Sequence, residues 1–449
     1  MNKSHLTLIL FLFLLSCKDS TPKTETAEFI NGHPAWIMQG NIYEVNVRQF
    51  TPEGTFNAFA THLDRLKEMG VQTLWFMPVN PISKKDRKGT LGSYYAVSSY
   101  TAVNPEFGTM SDWKKLVDAA HEKGMKVIID WVPNHTGADH PWLVSHPDFF
   151  TKDKNGNPAV MMDWTDTRQL DYHNPVMEDS MITSMKYWIT NSSIDGFRCD
   201  VAWNVPGSFW SKCIPQLKAV KQNIFMLAEG ADPYLHESGF DATYPWDMFH
   251  MMEKIAKGTR PAFAIDSVKQ KYDTAYVKTA IEMYFTSNHD ENSWNKADFG
   301  TFPGSVHAPF AVLSQTMIRS VPLIYGGQEE PVLRALQFFE KDPMTFGKFE
   351  RAAFYKTLLA LRTRNAAMSA DASFTKVDAG NRDAVYAFTR EKNDKRVLVI
   401  LNLSGKEQTV TLNDKNLHGK ANNVFTGKEE TLSDVPSTLN AWGYSVYEY

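Results

Sequence analysis

Four stretches of this sequence end an apolar run with side chains able to move a proton, carry a charge or attack an electrophile. One leads into Asp130, Asn134 and His135, a second into Arg198 and Asp200, a third into Glu229, and a fourth into Asn288, His289 and Asp290. A single acid at the end of a strand has a plain explanation, because it can cap the next helix or pair with an arginine. Four clusters in step with the apolar runs point to one shared site. Cleavage of a glycosidic bond requires two carboxylates, one ionised to attack or stabilise the anomeric carbon and one protonated to donate to the leaving oxygen. Asp200 and Glu229 suit those two parts. Arg198 lies two residues before Asp200, on the same face of a strand, where a guanidinium favours the ionised aspartate. The same spacing serves a structural ion pair equally well.

The runs that would position these groups lie at 42–47, 71–77, 126–131, 194–199, 224–228, 280–285 and 321–325, with a weaker one at 240–244. Their nearly continuous apolar character suits parallel strands buried on both faces. Between the first two, Phe56, Phe59, Leu63 and Leu66 recur at helical spacing, and Gly70 is placed to end the helix. Thr109 and Asp112 have capping-box spacing, Trp113, Leu116, Val117 and Ala120 form an apolar face, and Gly124 follows as a stop. Eight strands alternating with helices predict a (β/α)8 TIM barrel, whose sites form where the C-terminal ends of the strands converge. A doubly wound sheet is the alternative. Residues 136–172 lack either period and read as an insertion after the third strand. Alternation of period two in Ala384-Val-Tyr-Ala-Phe388 and Arg396-Val-Leu-Val-Ile-Leu-Asn402 predicts a C-terminal antiparallel β-sandwich at 369–449, leaving 36–368 for the barrel.

A chain of 449 residues with 43% hydrophobic content can bury a large core. Its 47 basic and 51 acidic residues, net charge −4, give no electrostatic reason to expect a nucleic-acid partner. At the N-terminus Lys3 precedes an apolar run at 6–15, too short to span a bilayer, which reads as an export signal. Its end, Leu14-Leu15-Ser16-Cys17, resembles a bacterial lipoprotein signal. That resemblance implies cleavage before Cys17, a lipid on its thiol, a polar linker at 18–35, and a place in the cell envelope at the outer membrane or cell surface. Membrane contact would then run only through the lipid, and without lipidation the protein would be periplasmic or secreted. Cys199 and Cys213 are expected to be buried and free, since a spacing of 14 does not establish a disulfide.

The four clusters, in this order, resemble the conserved segments of glycoside hydrolase family 13, the α-amylase family. Asp130-Trp-Val-Pro-Asn134-His135 resembles the first, Gly196-Phe-Arg198-Cys-Asp200 the second, Leu227-Ala-Glu229 the third and Phe285-Thr-Ser-Asn-His289-Asp290 the fourth. The resemblance implies that Asp200 is the nucleophile, Glu229 the general acid and base, and Asp290 the third carboxylate, gripping sugar hydroxyls. It also implies that Arg198 orients Asp200, that His135 and His289 bind the sugar at the −1 subsite, and that this sugar stacks on Tyr95. Asn134 matches a position that commonly holds a structural Ca²⁺ between barrel and insertion, and Asp171 matches a second ligand; no organic cofactor is implied.

One departure concerns the acceptor side. The family's second segment continues with a Lys-His pair that contacts the +1 and +2 sugars, and here Trp203 and Asn204 stand in those places. Trp203 is read as a stacking surface for a glucose ring. The resemblance implies a retaining α-glycosidase acting on α-1,4 links of starch-like glucans or maltooligosaccharides. Transglycosylation, α-glucosidase action or cyclodextrin hydrolysis is the alternative within the family, and a glycan-binding protein without catalysis is the alternative outside it.

Overall fold

The computed structural model describes residues 28–449, so Cys17 and the export signal lie outside the described residues. Eight parallel strands form the central sheet. They are β1 (Ile42–Val45), β2 (Thr73–Phe76), β3 (Lys126–Trp131), β4 (Gly196–Cys199), β5 (Phe225–Ala228), β6 (Ala242–Thr243), β7 (Ile281–Glu282) and β8 (Leu323–Tyr325). Neighbours pair in chain order and β8 pairs with β1. Between β7 and β8 the amides of Val321 and Leu323 donate to the carbonyls of Glu282 and Tyr284, so the sheet curls back on itself as the barrel reading expects and the doubly wound alternative falls.

Several strands are shorter than their apolar runs. The run at 280–285 yields only two paired residues, yet Met283, Tyr284 and Phe285 beyond them are at most 1% exposed. The Met283 amide and the Tyr284 carbonyl still bond to the neighbouring strands, so the apolar run outlasts the regular ladder. The expected helix over 56–66 is two, Phe56–Ala60 and Leu63–Met69, which share one buried face and end at Gly70, whose φ of 99° no β-carbon would favour. The capping box forms as expected: Thr109 Oγ1 accepts from the Asp112 amide at 3.2 Å, and the Thr109 amide donates to Asp112 Oδ2 at 3.0 Å.

The linker expected over 18–35 gives way to ordered structure by residue 29, where Phe29–Ile30 pairs with His33–Pro34. A histidine fixes this hairpin to the barrel, His33 Nδ1 lying 3.0 Å from Asp241 and Nε2 2.7 Å from the Thr279 carbonyl. Such long-range contacts leave no trace in local composition. In the insertion His135–Gly137 pairs with Thr167–Gln169, which closes its base beside the end of β3.

At the C-terminus a six-stranded antiparallel sheet is backed by a two-stranded one. Strict alternation divides its two central strands, Val385–Lys392 and Lys395–Asn402. Tyr386, Phe388, Val397, Val399 and Leu401 face the barrel, whereas Val385, Ala387, Leu398 and Ile400 face Val410 and Leu412 in the domain's own core. Arg390, fully buried, reaches out of this sheet to the carbonyls of Thr316 and Met317. Cys199 and Cys213 are buried and free.

Candidate active site

The polar residues follow from the barrel register. In the β3–β4 ladder Asp130 stands directly opposite Arg198, so their side chains enter the lumen side by side. Arg198 Nη1 donates to Asp130 Oδ1 at 2.8 Å and Oδ2 at 3.0 Å, and to Asp200 Oδ1 at 3.1 Å. Its Nη2 lies 3.1 Å from Glu229 Oε2, and its Nε donates to the Tyr244 hydroxyl at 3.1 Å. The guanidinium is 1% exposed. Three carboxylates thus converge on one cation from the ends of β3, β4 and β5.

A cavity of about 630 Å³ opens over this cluster, lined by Tyr95, His135, Asp200, Trp203, Glu229 and Asp290 among others. Tyr95 lies between two polar anchors, its hydroxyl 3.1 Å from Asp130 Oδ2 and 2.8 Å from His289 Nε2, with its ring stacked on that histidine. Asp290 has a 40% exposed side chain facing the cleft, with Oδ2 3.4 Å from His289 Nε2. Trp203 is 41% exposed at the cavity wall, where a stacking surface was expected. All eight expected catalytic and sugar-contacting residues therefore meet at one end of the barrel.

The charges are unequal. Burial first, and then the neighbouring Glu229 carboxylate, push Asp200 well above the usual carboxylate range against the pull of Arg198. Asp130 is pushed up to about 6, burial outweighing the Arg198 pair. At Asp290 the loss of solvent raises the pKa, but His289 beside it outweighs that and holds the group below its usual value. His135 is brought down to about 4 by burial, so its ring is neutral near pH 7. Each acid also has one oxygen blocked. Glu229 Oε2 accepts from the Val201 amide at 2.7 Å as well as from Arg198, and Asp200 Oδ1 faces Arg198, so Oε1 and Oδ2 are the oxygens without a protein donor among the described contacts.

Three contributors escaped the sequence reading. Val201 adopts φ 47°, rare for a β-branched residue, and this turn aims its amide at Glu229. Trp294 follows Asp290 on the cavity rim, 54% exposed against Phe338 and Phe339. Glu44, on β1, places Oε1 2.5 Å from His289 Nδ1. Only Glu44 carried a legible signal, a charge inside the apolar run Ile42-Tyr-Glu-Val.

Residues 12–169 and 151–337 match the family model for the α-amylase catalytic domain, and residues 385–445 match that for the C-terminal domain of the α-amylase SusG. The α-amylase MalA of Haloarcula japonica is 25% identical over 399 residues, covering 84% of this chain but 57% of MalA. A cyclomaltodextrinase from a Bacillus species is 26% identical, over 82% of this chain and 73% of its own. The solved structure of the noncanonic maltogenic α-amylase AmyB from Thermotoga neapolitana superposes with a TM-score of 0.83 at 27% identity, covering 92% of this chain and 99% of that one.

The expected calcium ligands do not form a calcium cage. Asn134 Oδ1, the oxygen a hard cation would need, accepts from Asn204 Nδ2 at 2.8 Å. Its Nδ2 points at His135 Nδ1 and at the Met161 sulfur, 3.1 and 3.3 Å away. Asp171 Oδ1 is taken by the backbone amide and ring of His173, at 2.9 and 2.8 Å. A thioether is a soft, weak acceptor and a poor calcium neighbour. An amide–amide–thioether cluster therefore joins the insertion to the barrel where the resemblance implied a metal. Thermal unfolding in EDTA should match that in millimolar CaCl₂, whereas Asn204→Ala should lower the midpoint by about 1 °C for each ~1 kcal/mol of half-buried hydrogen bonding lost. A melting temperature that drops in EDTA and returns with Ca²⁺ would show that this junction does take the metal.

Proposed function

The chain belongs to the α-amylase family of glycoside hydrolases, and on that premise we propose that it is a retaining α-glycosidase hydrolysing α-1,4-glucosidic bonds of starch-like glucans or maltooligosaccharides. The observation that carries this reading is the pairing of Asp200 and Glu229 on one guanidinium at the cavity floor, each with one oxygen free of protein donors. Bridging by a single Arg198 supports the close carboxylate spacing of a retaining mechanism over the wider gap that an inverting enzyme leaves for water.

In the first step Asp200 Oδ2 attacks the anomeric carbon while Glu229 delivers a proton from Oε1 to the departing glycosidic oxygen, leaving a glycosyl ester on Asp200. In the second, Glu229 takes a proton from water, and the hydroxide equivalent displaces Asp200. Two inversions restore the α configuration. His135, His289 and Asp290 hold the hydroxyls of the reacting sugar, and Tyr95 supports its ring. Burial and the neighbouring Glu229 carboxylate raise the proton affinity of Asp200, and Arg198 opposes them by favouring its ionised, attacking form.

A short-substrate form of this activity is favoured by how the cavity is roofed. Lys88 Nζ donates to the Asp163 carbonyl at 2.7 Å and lies 4.0 Å from Asp166 Oδ1, while Arg168 pairs with Asp86 at 2.6 Å. The loop after β2 is thereby strapped to the insertion above the cleft. The volume below the strap is within the range of a small-molecule site. Trp203 and Asn204, in place of the family's Lys-His pair, point the same way. We also propose that Cys17 carries a lipid that anchors the enzyme in a bacterial envelope, a reading supported by the sequence Leu14-Leu15-Ser16-Cys17.

Asp200→Asn should abolish turnover of maltotriose, with NMR of fresh parental product showing the α-anomer first; the β-anomer, or a fully active Asn variant, would contradict the mechanism. Lys88→Ala should raise the rate on soluble starch relative to maltotriose or α-cyclodextrin several-fold; an unchanged ratio would remove the strap from specificity. Cells fed labelled palmitate should mark the full-length protein and not its Cys17→Ala variant, and equal or absent labelling of the two would overturn the anchor.

A further inference from the structure

Glu44 is the third residue of β1, and alternation sends it into the barrel lumen. Ile42, two residues earlier, packs there with Trp75, Ile128 and Leu227, whereas Tyr43 and Val45 face the helical layer. Its carboxylate is fully buried, one strand away from Arg198's own ring of acids, and an ionised group in such a place needs a cationic partner. Among the described residues the His289 ring is its ion-pair partner, Nδ1 to Oε1, with the two side chains 2% and 0% exposed.

We propose that Glu44 is a positioning residue for the pocket, holding the His289 ring protonated on both nitrogens so that Nε2 presents an N–H toward Tyr95, Asp290 and the bound sugar. The proposal rests on the glycosidase reading above and assigns a function to a residue outside the expected catalytic set. A count of protons leads to it. The Tyr95 hydroxyl has one proton and lies within reach of both Asp130 Oδ2 and His289 Nε2. When that proton goes to the carboxylate, Nε2 must donate to the tyrosine oxygen, and Asp290 Oδ2 near the same nitrogen also requires a donor. Glu44, an acceptor, takes the proton on Nδ1. The imidazolium satisfies all these contacts at once, and a neutral ring leaves one of them with two facing acceptors.

The titratable groups around the ring are consistent with that state. Glu44 faces it from β1, Tyr95 from the loop after β2, and Asp290 from the adjoining position, with Asp130 of β3 and Arg198 of β4 behind the tyrosine. Tyr244 of β6 and Tyr325 of β8 feel the Glu44 charge on its other side. Burial alone would lower the affinity of His289 for its second proton, but Asp290 and Glu44 together outweigh it, and the ring's pKa ends well above that of an ordinary histidine. Two consequences reach the substrate. A charged donor bonds a sugar hydroxyl more strongly than a neutral ring, and the same charge keeps Asp290 ionised to grip its own hydroxyls.

The test combines kinetics on maltotriose with ¹⁵N spectra of histidine-labelled protein, the His289 signals being assigned by their loss in His289→Asn. Parental His289 should show two protonated nitrogens at pH 7. In Glu44→Gln, whose amide supplies no charge, the ring should become neutral, kcat should fall about 10²-fold, and the alkaline limb of kcat should move down toward the ordinary histidine value near 6.5. The sign follows from what is lost: the active form is the protonated ring, so activity disappears as pH rises through its pKa, and removing Glu44 lowers that pKa. Glu44→Asp, which keeps the charge, should recover part of the rate and the parental limb. A neutral His289 in the parent at pH 7, or a Gln variant that folds and keeps the parental pH limb, would overturn the proposal. Absence of turnover by the parent on every α-glucan would instead bring down the glycosidase reading, and the ¹⁵N spectra would still decide the Glu44 pair.

Discussion

Arg198 stands 1% exposed among Asp130, Asp200 and Glu229, and a cation stripped of water in that place persists because all three carboxylates reach it. The dependence is mutual. Without the guanidinium, three acids crowded into a dry barrel mouth would take up protons until little negative charge remained to attack an anomeric carbon. With it, the cluster retains negative charge even though burial holds Asp200 and Asp130 above the usual carboxylate range. Asp130 takes no part in the proposed bond-making; both its oxygens accept from Nη1, while Nη2 meets Glu229 and Nε meets Tyr244, and together these contacts set which oxygen of Asp200 and which of Glu229 remain open.

Barrel geometry makes this arrangement inexpensive. Parallel register sets Asp130 opposite Arg198 on adjacent strands, so this ion pair of the site is built on the sheet itself and not on a loop. Residues past the strand ends are then free to bend. Val201 turns into a left-handed conformation immediately after Asp200 and brings its amide to Glu229. A branched side chain holds such a backbone angle only when its surroundings enforce it, and the neighbouring turn from Ala202 to Asn204 is tied down by the Tyr234 hydroxyl on the Trp203 carbonyl. Rigidity below and strain above are therefore parts of one construction.

Much of this could be read from the residues alone. Strand positions, the capping box at Thr109 and the alternating strands of the last domain are local patterns, and local patterns survive in a sequence. Each catalytic candidate was legible because it ended an apolar run, a position that in a barrel means convergence. Contacts over long chain separations were not legible. His33 holds its hairpin through Asp241, 208 residues away, and nothing in the polar segment from 18 to 35 announces that partner. Glu44 meets His289 across 245 residues; its charge inside an apolar run was visible, but its partner was not. The expected calcium ligands turn on contacts of the same long-range kind. Asn134 and Asp171 are oxygen donors of the right kind, and only their actual neighbours, Asn204 and His173, reveal that Oδ1 of each is already engaged.

That engagement bears on how the pocket is closed. A divalent cation ties an insertion to a barrel with several strong bonds to one centre, largely independent of which side chains surround it. Here the junction is divided among weaker directional contacts, with Asn204 on Asn134 at the base, Arg168 on Asp86 at the edge and Lys88 on Asp163 across the roof. The first joins the turn after β4 to the end of β3, where Met161 of the insertion completes the cluster, and the other two join the loop after β2 to the insertion, the last beside the cavity that holds Asp200 and Glu229. Partly exposed pairs such as the two edge straps contribute modest stability one at a time, so they can open without unfolding the barrel. Asn204, whose amide engages Asn134 Oδ1, directly follows Trp203 on the cavity wall, so the junction with the insertion and the wall of the cavity meet in one short turn.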